Sequence, residues 1–284
     1  MPCLSFKPPG SNRARGVTLI EMVIVIAITA IIAAAVSVFI SRPVEGYVDA
    51  ARRAEMSDIA DTALRRMTRD LRTALPNSIR ITCVPAGCAA GSVYYLEYLQ
   101  SSGGGRYRAQ PDSSGAGDIL DFTAADASFD VIGVMPAFAG GESIVIYNLA
   151  ASGTTANAYV GDNRAAYSSN AATTITLAPA KQFPFPSPGK RFQVVQYAVT
   201  YACNPTPGTA ELRRYWNYGI VDPQQTPPAG GSNALLASSV AACSFTYATS
   251  GAAQREGVLT LTLQIAQSGE SIQLFQQVHV SNAP

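Results

Sequence analysis

Glu21 is the residue whose setting most demands a chemical explanation. It is the only acid before Glu45, and it stands at the lip of a run from Met22 to Ile40 that has neither charge nor proline. An ionisable group in such surroundings is expensive and is usually kept for function. The chemistry open to it is electrostatic. A carboxylate and an amine in a low-dielectric layer each carry a desolvation penalty, and bringing them together relieves both. Gly16 and Val17 lie between this acid and the basic pair Arg13 and Arg15.

The other reactive residue types form no comparable arrangement. His279, the one histidine, sits in an alternating terminal segment that suits packing or a surface position. No nucleophile, base and orienting group are assembled, so the chain is not expected to be an enzyme. Asp118, Asp121, Asp126 and Asp130 invite comparison with a calcium loop, but they lack its glycine and its closing glutamate. Gly103–Gly105 lacks the Gly-Lys-Ser/Thr ending of a phosphate loop. No metal and no cofactor is expected.

The element that must position Glu21 is a long helix. Met22–Ile40 at 1.5 Å per residue spans roughly 28 Å, close to the hydrocarbon thickness of a bilayer. An ordinary secretory signal has an apolar core of about 7–15 residues before a small-x-small cut site; Ala33–Ala35 offers such a site, but the apolar run continues past it. A plain single-span anchor gives no reason for Glu21. Arg42-Pro43 marks the exit from the membrane, with a bend expected at the proline. From Val44 to Leu75 the apolar residues Val44, Val48, Ala51, Met56, Ala60, Ala63, Met67, Leu71 and Leu75 recur near the helical period. Arginines and acids alternate on the other faces, and Asp61–Arg65 has ion-pair spacing. A solvated, ion-paired face accounts for these arginines better than a nucleic-acid stripe. Pro76 ends the helix.

The stretch Arg13 to Glu21 with the apolar run behind it resembles the class III leader of type IV prepilins and type II secretion pseudopilins. The resemblance implies cleavage after Gly16 by a prepilin peptidase and methylation of the new amino terminus at Val17. It also implies that Glu21 pairs with the amino terminus of a neighbouring subunit during assembly. Val17 departs from the Phe or Met common at that position. Segments of the last third, Tyr197–Cys203, Leu212–Gly219, Cys243–Tyr247, Gly257–Leu263 and Gln277–Pro284, resemble the large minor pilins of mannose-sensitive haemagglutinin-type (MSHA) pili. Arg69-Asp70-Leu71-Arg72 with Leu75-Pro76-Asn77-Ser78 fits that group and also the J-type minor pseudopilins of type II secretion.

These resemblances imply an α+β fold of the pilin type: a long N-terminal helix, membrane-spanning in its first half and amphipathic in its second, packed on an antiparallel β-sheet domain. The expected division is a cleaved leader over 1–16, a membrane and assembly helix over 17–40, its amphipathic continuation over 41–75, and a β-rich periplasmic or extracellular domain over 76–284. The implied role is that of a minor pilin that primes assembly at or near a filament tip. The alternatives are a J-type pseudopilin and a tip adhesin with a surface ligand. Implied partners are the prepilin peptidase/methyltransferase, other minor pilins and the major pilin, the inner-membrane assembly platform and the inner membrane itself. Charges on the helix would set how subunits register along a filament.

Composition agrees with export. The chain of 284 residues carries a formal charge of +1, and the leader holds Lys7, Arg13 and Arg15 but no acid, so residues 17–284 are at −2 (17 basic, 19 acidic). That balance disfavours nucleic acid as a partner, and the basic leader places the N-terminus in the cytoplasm. Cys3 would leave with the leader, and Cys83, Cys88, Cys203 and Cys243 remain, an even number suited to an oxidising compartment. Three pairings are possible; Cys83–Cys88, closing a small loop, and Cys203–Cys243, tying two strand-like segments, are favoured.

After Pro76 the pattern alternates. Strands are expected over Ile79–Cys83, Ser92–Leu99, Asp118–Thr123, Asp130–Val134, Ser143–Leu149, Thr173–Leu177, Phe192–Cys203, Glu211–Ile220, Cys243–Ala248, Gly257–Ala266 and Ser271–Val280. Ser101–Gly105 and Ser113–Gly117 are expected as flexible loops, Ala150–Ala172 as an exposed insertion, and Asp222–Asn233 as a loop. Gln267–Glu270 is a hairpin turn, and the helix stripe is the element that should cover the sheet.

Overall fold

The computed structural model describes residues 16–249 and 256–284; the leader residues before Gly16 lie outside the described residues, as does the side chain of Arg42. Two compact units divide between Arg52 and Arg53. Helix α1, Leu19–Leu71, begins in the first and ends in the second, and its assignment continues through Pro43. In the first unit its apolar side chains are exposed, from Leu19 to Phe39 and on to Val44 and Val48.

In the second unit α1 buries Met56, Ala60, Ala63, Leu64, Met67 and Leu71. Their spacing of three and four residues is the helical period. The buried stripe therefore begins at Met56, where a start at Val44 was expected. The helix also stops at Leu71, short of the expected Leu75. The Thr73 amide donates to Asp70 O and that of Ala74 to Leu71 O, closing short turns, and the Leu75 amide then donates to Leu99 O on the sheet at 2.8 Å. Once the sheet offers a partner to that amide, the helical ladder has no reason to continue.

The strands are β1 (Arg80–Val84), β2 (Val93–Tyr107), β3 (Asp126–Ile132), β4 (Ser143–Ile146), β5 (Arg164–Ala171), β6 (Thr174–Lys181), β7 (Arg191–Asn204), β8 (Glu211–Tyr218), β9 (Ser232–Ser238), β10 (Val240–Thr249), β11 (Glu256–Gln267) and β12 (Glu270–Ser281). Nine form one sheet in the order β1-β2-β3-β6-β5-β4-β7-β8-β9, with β2 also paired to β7. That extra pairing closes β2, β3, β6, β5, β4 and β7 into a ring. Inside it Tyr107, Phe129, Val131, Ile144, Ile175, Phe183, Phe192 and Val194 form a core of their own. Strands β10–β12 make a separate antiparallel sheet. The buried stripe of α1 packs in one core with residues of both sheets, among them Tyr98, Tyr201 and Leu212 from the first and Phe245, Leu261 and Val278 from the second.

Long strand β2 overturns one expectation. Ser101–Gly105, expected as a loop, lies within β2 and pairs with β7 across register shifts at Gln100/Ser101 and Ser101/Gly103. The glycines serve close approach: a Cβ on Gly104 would come within 2.5 Å of Phe192 O, and one on Gly105 within 2.9 Å of the Phe192 ring. Loop composition and tight strand packing call for the same residue.

Two other expectations fail, and a third holds except at its last two residues. Asp118–Thr123 forms no strand, because Asp121 accepts from its own Thr123 amide and hydroxyl in a local turn. Ala150–Ala172 is no exposed insertion: it contains β5, and Ala156, Asn157, Ala158, Tyr159 and Asn163 are buried. Asp162 accepts from the amides of Ala156 and Asn157, and Asn148 from that of Ala158. The segment folds around its own side-chain acceptors. Strand β9 takes over the end of the Asp222–Asn233 loop. The turn between β11 and β12 follows its sequence signal, with positive φ at Ser268 and Gly269 and Gln267 opposite Glu270.

Candidate functional site

The first site is the entry of α1. Thr18 precedes the first helical residue, and its side-chain oxygen accepts from the Glu21 amide at 3.3 Å. The Glu21 carboxylate accepts in return from the Thr18 amide at 3.4 Å. This reciprocal pair is a capping box, which satisfies two of the amides a helix start leaves unpaired. Glu21 thus caps its own helix while remaining exposed. Gly16 and Val17 are also exposed, with open space around the Gly16 backbone. A reactive peptide bond there would be accessible.

Two buried polar clusters occupy opposite faces of the β2–β7–β8 sheet. On the helix side Asp70 accepts from Arg214 Nε at 2.8 Å, from Tyr201 Oη at 2.8 Å and from Arg66 Nε at 3.1 Å. Tyr201 and Arg214 are cross-strand partners on β7 and β8, so one register places both donors under one carboxylate. Burial pushes the Tyr98 and Tyr201 phenols well above their ordinary range. On the other side Glu97, 1% exposed, accepts from Arg80 Nε at 2.7 Å and from Tyr218 Oη at 2.9 Å. Arg80 also donates to Asp222 and to Val221 O, and its guanidinium lies 3.6 Å over the Tyr159 ring. Burial pushes the Glu97 carboxyl up, while Arg80 and Tyr218 pull it back. Each cluster is internally satisfied and acts as a clamp on the fold.

The sequence reading missed both clusters. Their signals were a carboxylate beside the apolar stripe at Asp70 and another inside the apolar run Val93–Leu99. A lone acid in such a place needs a buried cation.

The remaining candidates are dispersed. Asp130 accepts from Thr174, Arg108 and the Asp118 amide, and Asp118 accepts from Ser128. Among the described residues no three His, Cys, Asp or Glu side chains gather as a metal site. His279 is exposed on β12, opposite Val258. Cys83 and Cys88 are joined at an S–S distance of 2.04 Å, and Cys203 and Cys243 at 2.26 Å, the latter linking β7 to β10.

An exposed apolar helix with a capped acidic entry is followed by a large antiparallel β domain, and by length and composition the helix is long and apolar enough to cross a membrane. Residues 11–37 match the family model described as the prokaryotic N-terminal methylation motif, which supports a type IV pilin-like chain. That motif implies processing by a prepilin peptidase and assembly with pilus machinery. No curated protein and no solved structure matches the chain.

Proposed function

We propose that this protein is a minor pilin that helps to initiate assembly of a type IV, MSHA-like pilus from a position at or near the tip. The observation that carries the reading is the Gly16–Glu21 segment at the head of an exposed apolar helix, within the matched motif. Peptidase cleavage after Gly16 frees Val17, whose amine is methylated. A subunit entering the filament then brings that amine to the Glu21 of a neighbour, relieving two desolvation penalties at once. The β domain stays on the periplasmic side and follows the filament to the surface. Its size suits a terminal position, where packing on every side is not required. The role is structural, without catalysis, and the O-type minor pilin of MSHA-type pili is the likeness that the last third of the sequence favours.

A clean deletion strain, scored in parallel for surface pili by electron microscopy and for exported proteins in the medium, tests the role. Lost pili with normal secretion are expected. Intact pili with proteins trapped in the periplasm would move the protein to the J-type pseudopilins of type II secretion. Mass spectrometry of the mature chain should find methylated Val17 as its first residue; an intact leader would overturn the processing step.

A further inference from the structure

Strand β12 ends the three-stranded sheet, and among the described residues only β11 lies beside it. Its outer edge presents backbone donors and acceptors with no partner strand. Natural proteins blunt such an edge with a short strand, a proline, a cation, a bulge or a covering segment. The other sheet edges carry such devices. β9 has seven residues and a register shift in its pairing with β8. β1 has five, and Arg80 ties it to Val221 and Asp222. β10 is fastened to β7 by Cys203–Cys243. β12 runs for 12 residues without proline, lysine or arginine, and its register with β11 never shifts. Its one acid, Glu270, is engaged by Arg53 at 2.7 Å.

The side chains of β12 divide between two faces. Leu259, Leu261, Leu263 and Ile265 of β11 are buried, which fixes the inner face. Register places Ile272, Leu274 and Val278 on that face and Ser271, Gln273, Phe275, Gln277 and His279 on the other, all five exposed. Phe275 is 71% exposed at the middle of the strand. A glutamine stands two residues to either side of it, and a small or ring-shaped polar residue stands beyond each glutamine. Gln277 Nε2 makes one long contact, with Thr260 Oγ1 at 3.5 Å. The outer row is almost the same read in either direction.

We propose that β12 is the pairing edge for β12 of a second copy of this chain, antiparallel about a two-fold axis between the two Phe275 rings. Residues opposed in an antiparallel pair share a face. Phe275 therefore meets its own counterpart, Gln273 meets the second copy's Gln277, and Ser271 meets its His279. A central aromatic pair flanked by two amide pairs is a favourable set of cross-strand neighbours. On the inner face Ile272 meets Val278 and Glu270 meets Val280, so no like charges are opposed. The near-palindromic row selects a copy of the same strand, because symmetry then supplies the match for Phe275 and for both glutamines at once. Such an interface is isologous and closes at two chains. It concerns the second unit alone and does not rest on the pilus reading.

The test is sedimentation of the full chain in neutral detergent, over a range of protein concentrations, with charge variants at the two glutamines. The parent is expected as a concentration-dependent dimer. Gln273→Lys/Gln277→Lys opposes lysine to lysine twice and should dimerise about tenfold more weakly. Gln273→Lys/Gln277→Glu opposes lysine to glutamate twice and should recover the dimer, although it alters the same two exposed positions. A monomeric parent would overturn the proposal. So would like behaviour of the two variants, which would place any association elsewhere, the apolar helix included. Oxidative cross-linking in a Cys3→Ser background is the second readout. Phe275→Cys should give a disulfide-linked dimer, because the two-fold sets that residue against itself. Thr262→Cys, on the same face one strand inward, should not. Equal cross-linking at both positions would mean that the sheets meet face to face, and with cross-linking at neither it would overturn the edge pairing.

Discussion

Asp70 and Arg214, 144 residues apart in the chain, meet at 2.8 Å with both side chains about a tenth exposed. The helix supplies the acid and β8 the base, so this contact pins the end of α1 to the sheet. Removing one partner leaves the other charge buried and alone. Asp70→Ala should therefore cost about 3–5 kcal/mol. Replacing both, as Asp70→Leu/Arg214→Met, should cost clearly less. Equilibrium denaturation of the detergent-solubilised chain measures both; equal losses would mean that the pair is not the source.

Glu97 and Asp130 should pull the acid side of the stability curve in opposite directions. Asp130 is held below its ordinary range, first by the Thr174 hydroxyl and also by the Asp118 amide and Arg108. Its contribution is present above the ordinary aspartate pKa of about 3.9 and is lost as pH falls through the lower folded value. Glu97 is raised by burial, so its contribution is present in acid and lost as pH rises through the raised value. Unfolding midpoints against pH should fall less steeply toward acid in Asp130→Asn than in the parent, and more steeply in Glu97→Gln.

Cys203–Cys243 closes a sequence separation of 40 and joins the two sheets, whereas Cys83–Cys88 closes one of 5. Chain-entropy reasoning gives the longer loop the larger effect, about 2–4 kcal/mol. Cys203→Ala/Cys243→Ala should lower the unfolding midpoint more than Cys83→Ala/Cys88→Ala. The reverse order would show that the small loop carries the stability.

Gly104→Ala places a methyl 2.5 Å from a backbone oxygen, which cannot swing aside as a side chain can. It should destabilise by about 1–3 kcal/mol, the range for overpacking. Gly208→Ala has open space but a positive φ, so only backbone strain opposes it. The former should lower the thermal midpoint more.

At the helix entry, Thr18→Ala removes one half of the capping box and Glu21→Gln keeps a hydrogen-bonding group there while removing the charge. If charge pairing drives assembly, Glu21→Gln should abolish surface pili while Thr18→Ala, a loss of about 1 kcal/mol, should only reduce them. Counting filaments in the two strains checks this. Normal piliation in Glu21→Gln would remove the electrostatic step.

Local signals carried much of this protein. The uncharged run behind Glu21, the helical period of the apolar residues between Val44 and Leu75 and the alternation of β11 each act within a few residues, so the sequence alone determined the helix, the acid at its entry and a β-rich body; the cap from Thr18 and the start of the buried stripe at Met56 came from the structure. The tertiary structure decided what depends on distant partners. Ser101–Gly105 reads as a loop until Phe192 packs against its glycines. Ala150–Ala172 reads as polar filler until Asp162 and Asn148 gather its amides. Asp70 and Glu97 gain their meaning only when β7 and β8 take register and bring Arg214 and Tyr218 to them. Composition is the same in both settings; which backbone groups and charges find partners is a property of strand register and of the helix packed on the sheet, and no local pattern encodes either.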